Sequence, residues 1–327
     1  MNSHIKPSHP KLDLPAACSD STISVIIPVY NREDTIEACL DSIACQSLPP
    51  FEVLIVDDGS DDASASVIGD WIEKNESATK YRLIHQDNQG KSAALNTGFA
   101  ATEGDWIAFN DSDDFWLPNK LEVQMNLLSQ YANAKVCFSD SRFINDPSLT
   151  RTNFQIRGFD KELHQSEVIE APYLSLAKNP NGIFMQSLIA HRDCANQVFP
   201  LNPELRVAQD IDLIFRLSLT TDFCLSHEPL VEIDRTPERN IGLTKQHDMK
   251  SLYRLQTKEA IISRWMQIES PKTKEINKQL KTNLSIVQKI IAGHFAQRGE
   301  RTEARNYFKK SYLNRRRLVT LARWILA

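Results

Sequence analysis

The residues best suited to chemistry lie at 106–116, which read WIAFNDSDDFW. A short apolar run, Trp106, Ile107, Ala108 and Phe109, stops at three acids, Asp111, Asp113 and Asp114. A continuous apolar run of this length suits a strand covered on both faces. The acids then stand where the strand leaves its sheet, and open α/β sheets bind ligands outside the carboxyl ends of their strands. Three carboxylates so close repel one another, so the cluster costs free energy unless a cation joins it. Hard oxygen ligands suit Mg2+ or Mn2+, with phosphate oxygens of a ligand completing the shell. The plainer reading is a solvated acidic turn that caps the helix beginning near Pro118. From this stretch alone the two readings are evenly weighted.

The elements that must position these acids alternate along the chain. Residues 23–28 (ISVIIP) form a first strand, followed by the turn Val29, Tyr30, Asn31 and a helix over about 32–44. Residues 51–56 (FEVLIV) form a second strand, which again ends in acids, Asp57 and Asp58. A helix over about 62–75 carries Val67, Ile68, Trp71 and Ile72 on one side, and residues 81–85 make a short third strand. A polar loop with Gly90 and Lys91 opens a helix over about 92–101, and the strand at Trp106 follows. Such alternation predicts an α/β fold with a doubly wound, mostly parallel sheet. The strand ends at Asn31, Asp57, Gln86 and Asp111 then line one edge of it.

Further on, Leu117, Leu121, Met125 and Leu128 give a helix its core face. Residues 135–138 are a strand, and 146–180 show weak patterning. Residues 183–190 read as a strand, 192–198 as a short helix and 210–219 as a longer one. Residues 223–225 and 229–233 read as two short strands. From about 247 the chain is helical only, with Leu284, Ile286, Ile290, Ile291 and Phe295 as apolar positions and a turn at Gly299. Residues 1–21 read as a flexible polar leader.

Bulk properties narrow the function. A length of 327 residues suits one large domain with an appendage. Net charge is −4, so no basic bias points to nucleic acid. The six cysteines form no CxxC pair and match no zinc module, which reads as buried thiols in a reducing, cytoplasmic setting. No run reaches transmembrane length. The end of the chain is basic and apolar together, with Lys309, Lys310, Arg315, Arg316, Arg317 and Arg323 among leucines and Trp324. Such a segment suits peripheral contact with an anionic membrane, or docking on neighbouring helices or a second subunit.

Four stretches, ISVIIPVYN, VLIVDDGS, NQGKSAALNTG and FNDSDDFW, occur in the order found in family-2 glycosyltransferases, which this chain resembles. The likeness is good over 23–116 and looser over 209–217. It implies an A-type glycosyltransferase fold and an inverting transfer from a nucleoside-diphosphate sugar, usually a UDP-sugar, with Mn2+ or Mg2+, to a glycan or lipid-linked acceptor such as those of polysaccharide biosynthesis. It divides the chain into a catalytic unit, 22–246, and a helical region, 247–327. The unit splits into a nucleotide-sugar half, 22–116, and an acceptor half, 117–246. Carried over by position, Pro28, Tyr30 and Asn31 belong to the nucleoside pocket, and Asp57 accepts a hydrogen bond from the base. Lys91 and the Gly90 backbone border the nucleotide. Asp111 meets ribose or a metal-bound water, Asp113 binds the metal, and Asp114 supports them. The competing reading of Asp57 and Asp58 is a turn that caps the next helix.

The family also places the catalytic base at the end of a Glu-Asp pair that starts a late helix. Here the pair is Gln209-Asp210, so the acid is kept and its neighbour departs from the pattern. Glutamine cannot carry charge and would raise the pKa of Asp210 less than a carboxylate would. Asp212 is the competing base, and either acid could simply cap the helix. Arg235, Arg239 and Lys245 follow in a polar stretch where the family has a basic residue over the diphosphate, but they match no fixed pattern. Two other functions are alternatives: a sugar nucleotidyltransferase, which would want a glycine-rich basic loop after Pro28 and is disfavoured because that turn has no glycine and only Arg32 as a cation, and a non-catalytic nucleotide-sugar or glycan-binding module.

Overall fold

The computed structural model describes residues 21–158, 167–178, 182–236, 251–316 and 318–326. All of the expected leader but Ser21, and Arg239 and Lys245, lie outside them. One mixed sheet organises the chain. β1 (Ile23–Val29), β2 (Glu52–Asp57), β3 (Lys80–His85) and β4 (Trp106–Phe109) are parallel, in the order β3-β2-β1-β4. The sheet continues through β8 (Leu188–His191), β6 (Ala134–Ile144), β9 (Asp222–Asp234) and β5 (Asp114–Trp116), with β7 (Val168–Ile169) on β9. In this second half only β6 and β9 run parallel.

Both faces of the sheet are covered, which is why β1 and β2 are mostly apolar; two buried exceptions, Ser24 and Glu52, satisfy each other, Ser24 Oγ donating to Glu52 Oε1 at 2.7 Å. Val25, Ile27 and Val29 of β1 join α1 (Ile36–Ala44), α2 (Ser64–Lys74) and α4 (Lys120–Gln130) in one core. Ile26 turns to the other core, with Leu95 of α3 (Lys91–Ala101). Helix α3 lies close on the sheet because Gly98 has no side chain. A Cβ there would sit 2.5 Å from Ile26 Cγ2 and 3.3 Å from Val56 Cγ2.

The weakly patterned stretch contains α5 (Asn153–Arg157), set by a Thr152–Gln155 capping box, and α6 (Pro172–Lys178). The strand expected over 183–190 begins only at Leu188, after a 3-10 turn at Met185–Ser187. Next come α7 (Arg192–Val198) and α8 (Gln209–Ser218). The two strands expected after α8 are one strand, β9. Register shifts against β6 leave His227 and Glu228 outside the pairing, so the alternation breaks without the strand ending.

The helical region consists of α9 (Leu252–Trp265), α10 (Pro271–Gln297), α11 (Arg301–Asn314) and α12 (Leu318–Leu326), and its first three helices share the α3-side core. Trp265 stacks on Phe215 of α8 with ring centroids 3.8 Å apart. Its indole N–H donates to Asp212 Oδ1 at 2.9 Å, and Tyr173 of α6 donates to Glu275 at 2.7 Å. Among the described residues, no helix is long and apolar enough to cross a membrane. Cys39, Cys137, Cys194 and Cys224 are buried thiols as expected, whereas Cys45 is exposed.

Candidate functional site

The carboxyl ends of β1, β2 and β4 meet the first turns of α3 and α8 at one rim. At the end of β1, Asn31 takes a positive φ of 52°. Its N–H donates to Ser60 Oγ at 3.0 Å, and its side chain accepts from Asp61 N–H at 2.9 Å. The first two strand exits are thereby tied together. Pro28 is held within β1, and the Tyr30 ring is exposed beside the turn.

Asp57 is buried at the end of β2. It accepts from Ser60 N–H at 3.1 Å and faces His85 Nδ1 at 3.2 Å. A carboxylate has about four lone-pair positions, so capacity is left for a base N–H. Asp58 serves the next loop: it accepts from Gln86 Nε2 (2.7 Å), Gln89 N–H (2.9 Å) and Gly90 N–H (2.8 Å). Gly90 itself has φ +90°, and a Cβ there would lie 2.8 Å from Arg206 Nη1. The positive φ is what favours glycine here, since the Arg206 guanidinium is the end of a flexible side chain.

After β4, oxygens of Asp111, Asp113 and Asp114 lie within 4.8 Å of one another. Each acid has a different partner. Asp111 Oδ1 is 2.5 Å from Lys91 Nζ. Asp113 Oδ2 is 3.4 Å from Arg32 Nη2. Asp114 is buried and accepts from Gln186 Nε2 and from Asp234 N–H. Burial, then its acidic neighbours, push Asp114 well above the usual carboxylate range. Asp113 is also raised, by desolvation first and opposed by Arg32, yet 41% of its side chain stays open. Asp113 is thus a crowded carboxylate that remains open to solvent.

Asp210 is the second residue of α8, two positions after Ala208, whose φ is 62°. Burial raises its pKa, while the Lys91 charge and the Ile211 N–H, 2.8 Å away, oppose the rise. Burial acts to lower the pKa of Lys91, but Asp111, Asp210 and Asp113 outweigh it and raise it. One ammonium therefore lies within the field of acids from two separate elements. Asp212 differs in kind: it is buried, bonded to Trp265 and 3.7 Å from Arg216, on the side facing the helical region.

The donor set fits a hard divalent cation. The three acids supply oxygen only, and Asp113 offers the open carboxylate. Lys91 and Arg32 supply part of the neutralising charge that such a cluster demands.

The sequence model of glycosyl transferase family 2 matches residues 24–187. The chain belongs to glycosyl transferase family 2. Among curated relatives of this family-2 chain, EpsH of Bacillus subtilis is 30% identical over 200 residues, 59% of this chain and 55% of that protein. Glycosyltransferase GlyA of Streptococcus pneumoniae is 38% identical over 112 residues, 34% of this chain and 16% of that one. The alignments thus span little more than half of EpsH and much less of GlyA. Among solved structures, S. aureus TarS 1–349 in complex with UDP-GlcNAc superposes with a TM-score of 0.62 at 16% identity, over 93% of this chain and 79% of that one. The mannosyltransferase PcManGT from Pyrobaculum calidifontis, in complex with GDP-Man and Mn2+, gives 0.62 at 18% identity, over 96% and 81%. At these identities the likeness establishes the A-type fold, including its helical C-terminal part.

The residues singled out from the sequence gather at this rim: Pro28, Tyr30, Asn31, Asp57, Gly90, Lys91, Asp111, Asp113 and Asp210. Arg235 lies beside β5 and β9, with its guanidinium 5.5 Å from the Phe143 ring centroid and its charge lowering the pKa of Asp114. Four further residues were not legible as site residues. Asp58 read as a cap, although it organises the Gly90 loop. Arg32 was visible only as a lone cation after Asn31. Gln186 and Arg206 come from distant loops, and no local pattern marks them.

Proposed function

We propose that this family-2 chain is an inverting glycosyltransferase. It would move a sugar from a nucleoside-diphosphate sugar, a UDP-sugar by family resemblance, to a hydroxyl of a glycan or lipid-linked acceptor. The observation that carries this reading is the shared rim: the open Asp113 carboxylate, the Lys91–Asp111 pair and the raised Asp210 lie within one electrostatic neighbourhood. Residues 22–246 form the catalytic unit in this reading, split at 116 into donor and acceptor halves, and 247–327 back it. Five free thiols among the described residues suit a reducing, cytoplasmic setting.

The chemistry follows from charge. Asp57 accepts from the base, and the turn at Pro28, Tyr30 and Asn31 borders the nucleoside. The Gly90 backbone and Lys91 border the nucleotide, and Asp111 meets the ribose or a metal-bound water. Asp113, supported by Asp111 and Asp114, would hold Mn2+ or Mg2+, which when bound stabilises charge on the departing diphosphate. Asp210 takes the proton of the acceptor hydroxyl as its oxygen bonds to the anomeric carbon. The bond from that carbon to the diphosphate oxygen breaks on the opposite face, so the configuration inverts. A pKa above the ordinary carboxylate value makes Asp210 a stronger base. The engagement of Asp212 with Trp265 and Arg216 supports Asp210 over Asp212 for this role.

A thermal-shift panel of UDP-, GDP- and dTDP-sugars with and without Mn2+ tests the reading. One donor should stabilise the protein more with metal than without. That donor should then release nucleoside diphosphate when acceptor glycans or lipid-linked glycans are added. Donor binding without release under any acceptor would favour the non-catalytic module instead.

A further inference from the structure

Helix α10 carries two apolar stripes. Leu284, Val287, Ile291 and Phe295 face the core, as helical spacing requires. Ile286 and Ile290 lie outside it, and 47% and 45% of their surfaces are open. They border a groove of about 390 Å³ whose other wall is formed by the end of α11 and by α12. Lys289, Arg315 and Arg323 line the same groove, His294 lies among them, and no lining residue is acidic. Among the described residues, none of these three cations has an ion pair. Gly293 also lines the groove, and the space beside it is open, since a Cβ there would meet nothing within 4 Å. Helix α12 is held in place by Trp324, which packs 6.0 Å from Tyr312 and under Lys309.

We propose that this groove seats the phosphate headgroups of an anionic bilayer surface. Lys289, Arg315 and Arg323 pair with lipid phosphates, and Ile286 and Ile290 enter the boundary between headgroups and acyl chains. The combination of features selects this occupant. A soluble phosphate would satisfy the three cations but has no use for two open isoleucines one helical turn apart. A second copy of the chain in a two-fold contact would set these cations against themselves. An anionic membrane interface matches both the charge and the apolar surface. The inference stands apart from the transfer reaction, because it involves neither the rim nor a donor.

The test is co-sedimentation of the full chain with vesicles of phosphatidylcholine alone and of phosphatidylcholine with phosphatidylglycerol. Binding should require phosphatidylglycerol and weaken in high salt. Each cation near such a surface contributes about fivefold to partition, so Lys289→Gln with Arg323→Gln should weaken it by roughly 30-fold. Ile286→Ser with Ile290→Ser should weaken it at every salt concentration. Unfolding temperatures and any UDP-dependent stabilisation should match the parent, since these side chains lie outside the core and the rim. Equal partition to both vesicles, or unchanged partition of the charge variant, would overturn the proposal. So would inorganic phosphate stabilising the parent but not the charge variant in the absence of any vesicle binding, which would identify a free-phosphate site. A change in self-association in place of vesicle binding would equally overturn it, as a contact between copies.

Discussion

Arg32 Nη2 lies 3.4 Å from Asp113 Oδ2, so the acid best placed to receive a metal already faces a fixed cation. The same guanidinium donates to the carbonyls of Tyr30 (3.2 Å) and Asn31 (2.8 Å), which holds it at the β1 exit. A divalent ion at Asp113 must therefore displace or tolerate that charge. Arg32→Met should tighten nucleotide-free Mn2+ binding by about tenfold, the equivalent of ~1.4 kcal/mol of relieved repulsion. Asp113→Ala should remove it. Titration of free Mn2+ by electron paramagnetic resonance reads both. Identical affinities in all three proteins would place the ion elsewhere.

Asp210→Asn keeps the shape of the side chain and its contact with Ile211 N–H but removes the proposed base. Turnover should fall about 10²- to 10⁴-fold, with UDP binding within a factor of two of the parent. Stopped-assay kinetics alongside UDP calorimetry separates the two quantities. A comparable loss of UDP affinity would make Asp210 a donor ligand.

Lys91 is the main charge opposing the burial-driven rise of Asp210. As the proposed base, Asp210 would work in its ionised form, so turnover should drop on the acid side as it takes up a proton. Without the ammonium, the ionised form loses its nearby support and the pKa climbs further. The acid limb of the kcat profile for Lys91→Met should therefore move to higher pH, with part of the rate recovered in alkali. A uniform loss with an unmoved limb would confine Lys91 to holding Asp111.

Asp212 is bound to Trp265 and faces Arg216, so its carboxylate supports the contact between α8 and α9. Asp212→Asn should keep kcat within a few-fold while lowering stability by about 1–3 kcal/mol, the cost of loosening a buried charged contact. Urea unfolding with an unchanged m-value measures the second effect. A collapse of kcat in a folded variant would return Asp212 to the reaction.

The rim was legible because its strands are buried on both faces and end in acids. β1, β2 and β4 read as apolar runs, and Asp57 and Asp111 mark their exits. β5 was not legible: Asp114, Phe115 and Trp116 have no periodicity and form a strand only because β9 supplies a partner. β9 looked like two strands because its bulge carries His227 and Glu228 between apolar stretches. Arg206 beside Gly90 and Gln186 beside Asp114 are contacts across more than seventy residues, which no local pattern encodes. Ile286 and Ile290 carry the apolar signal of a core face, yet α10 turns them outward because Leu284, Val287 and Ile291 take the inner side.

Lys120 gives the last prediction. It is fully buried, donates to Gln124 Oε1 at 2.8 Å and lies 4.0 Å over the Trp116 ring. Burial lowers its pKa to about 7 from 10.5. The unfolded chain, with Lys120 near its ordinary value, binds more protons than the native protein between those two pH values. Native stability should therefore rise with pH through that window, by at most about 1.4 kcal/mol per unit from this group. Lys120→Met removes the titration. It also leaves Gln124 Oε1 without that donor, a loss that does not vary with pH, so the slope is the informative quantity. Urea unfolding at pH 7, 8 and 9 should show the parent gaining on the variant at each step. Parallel curves would mean that the buried amine keeps an ordinary pKa, its charge held by the Trp116 ring.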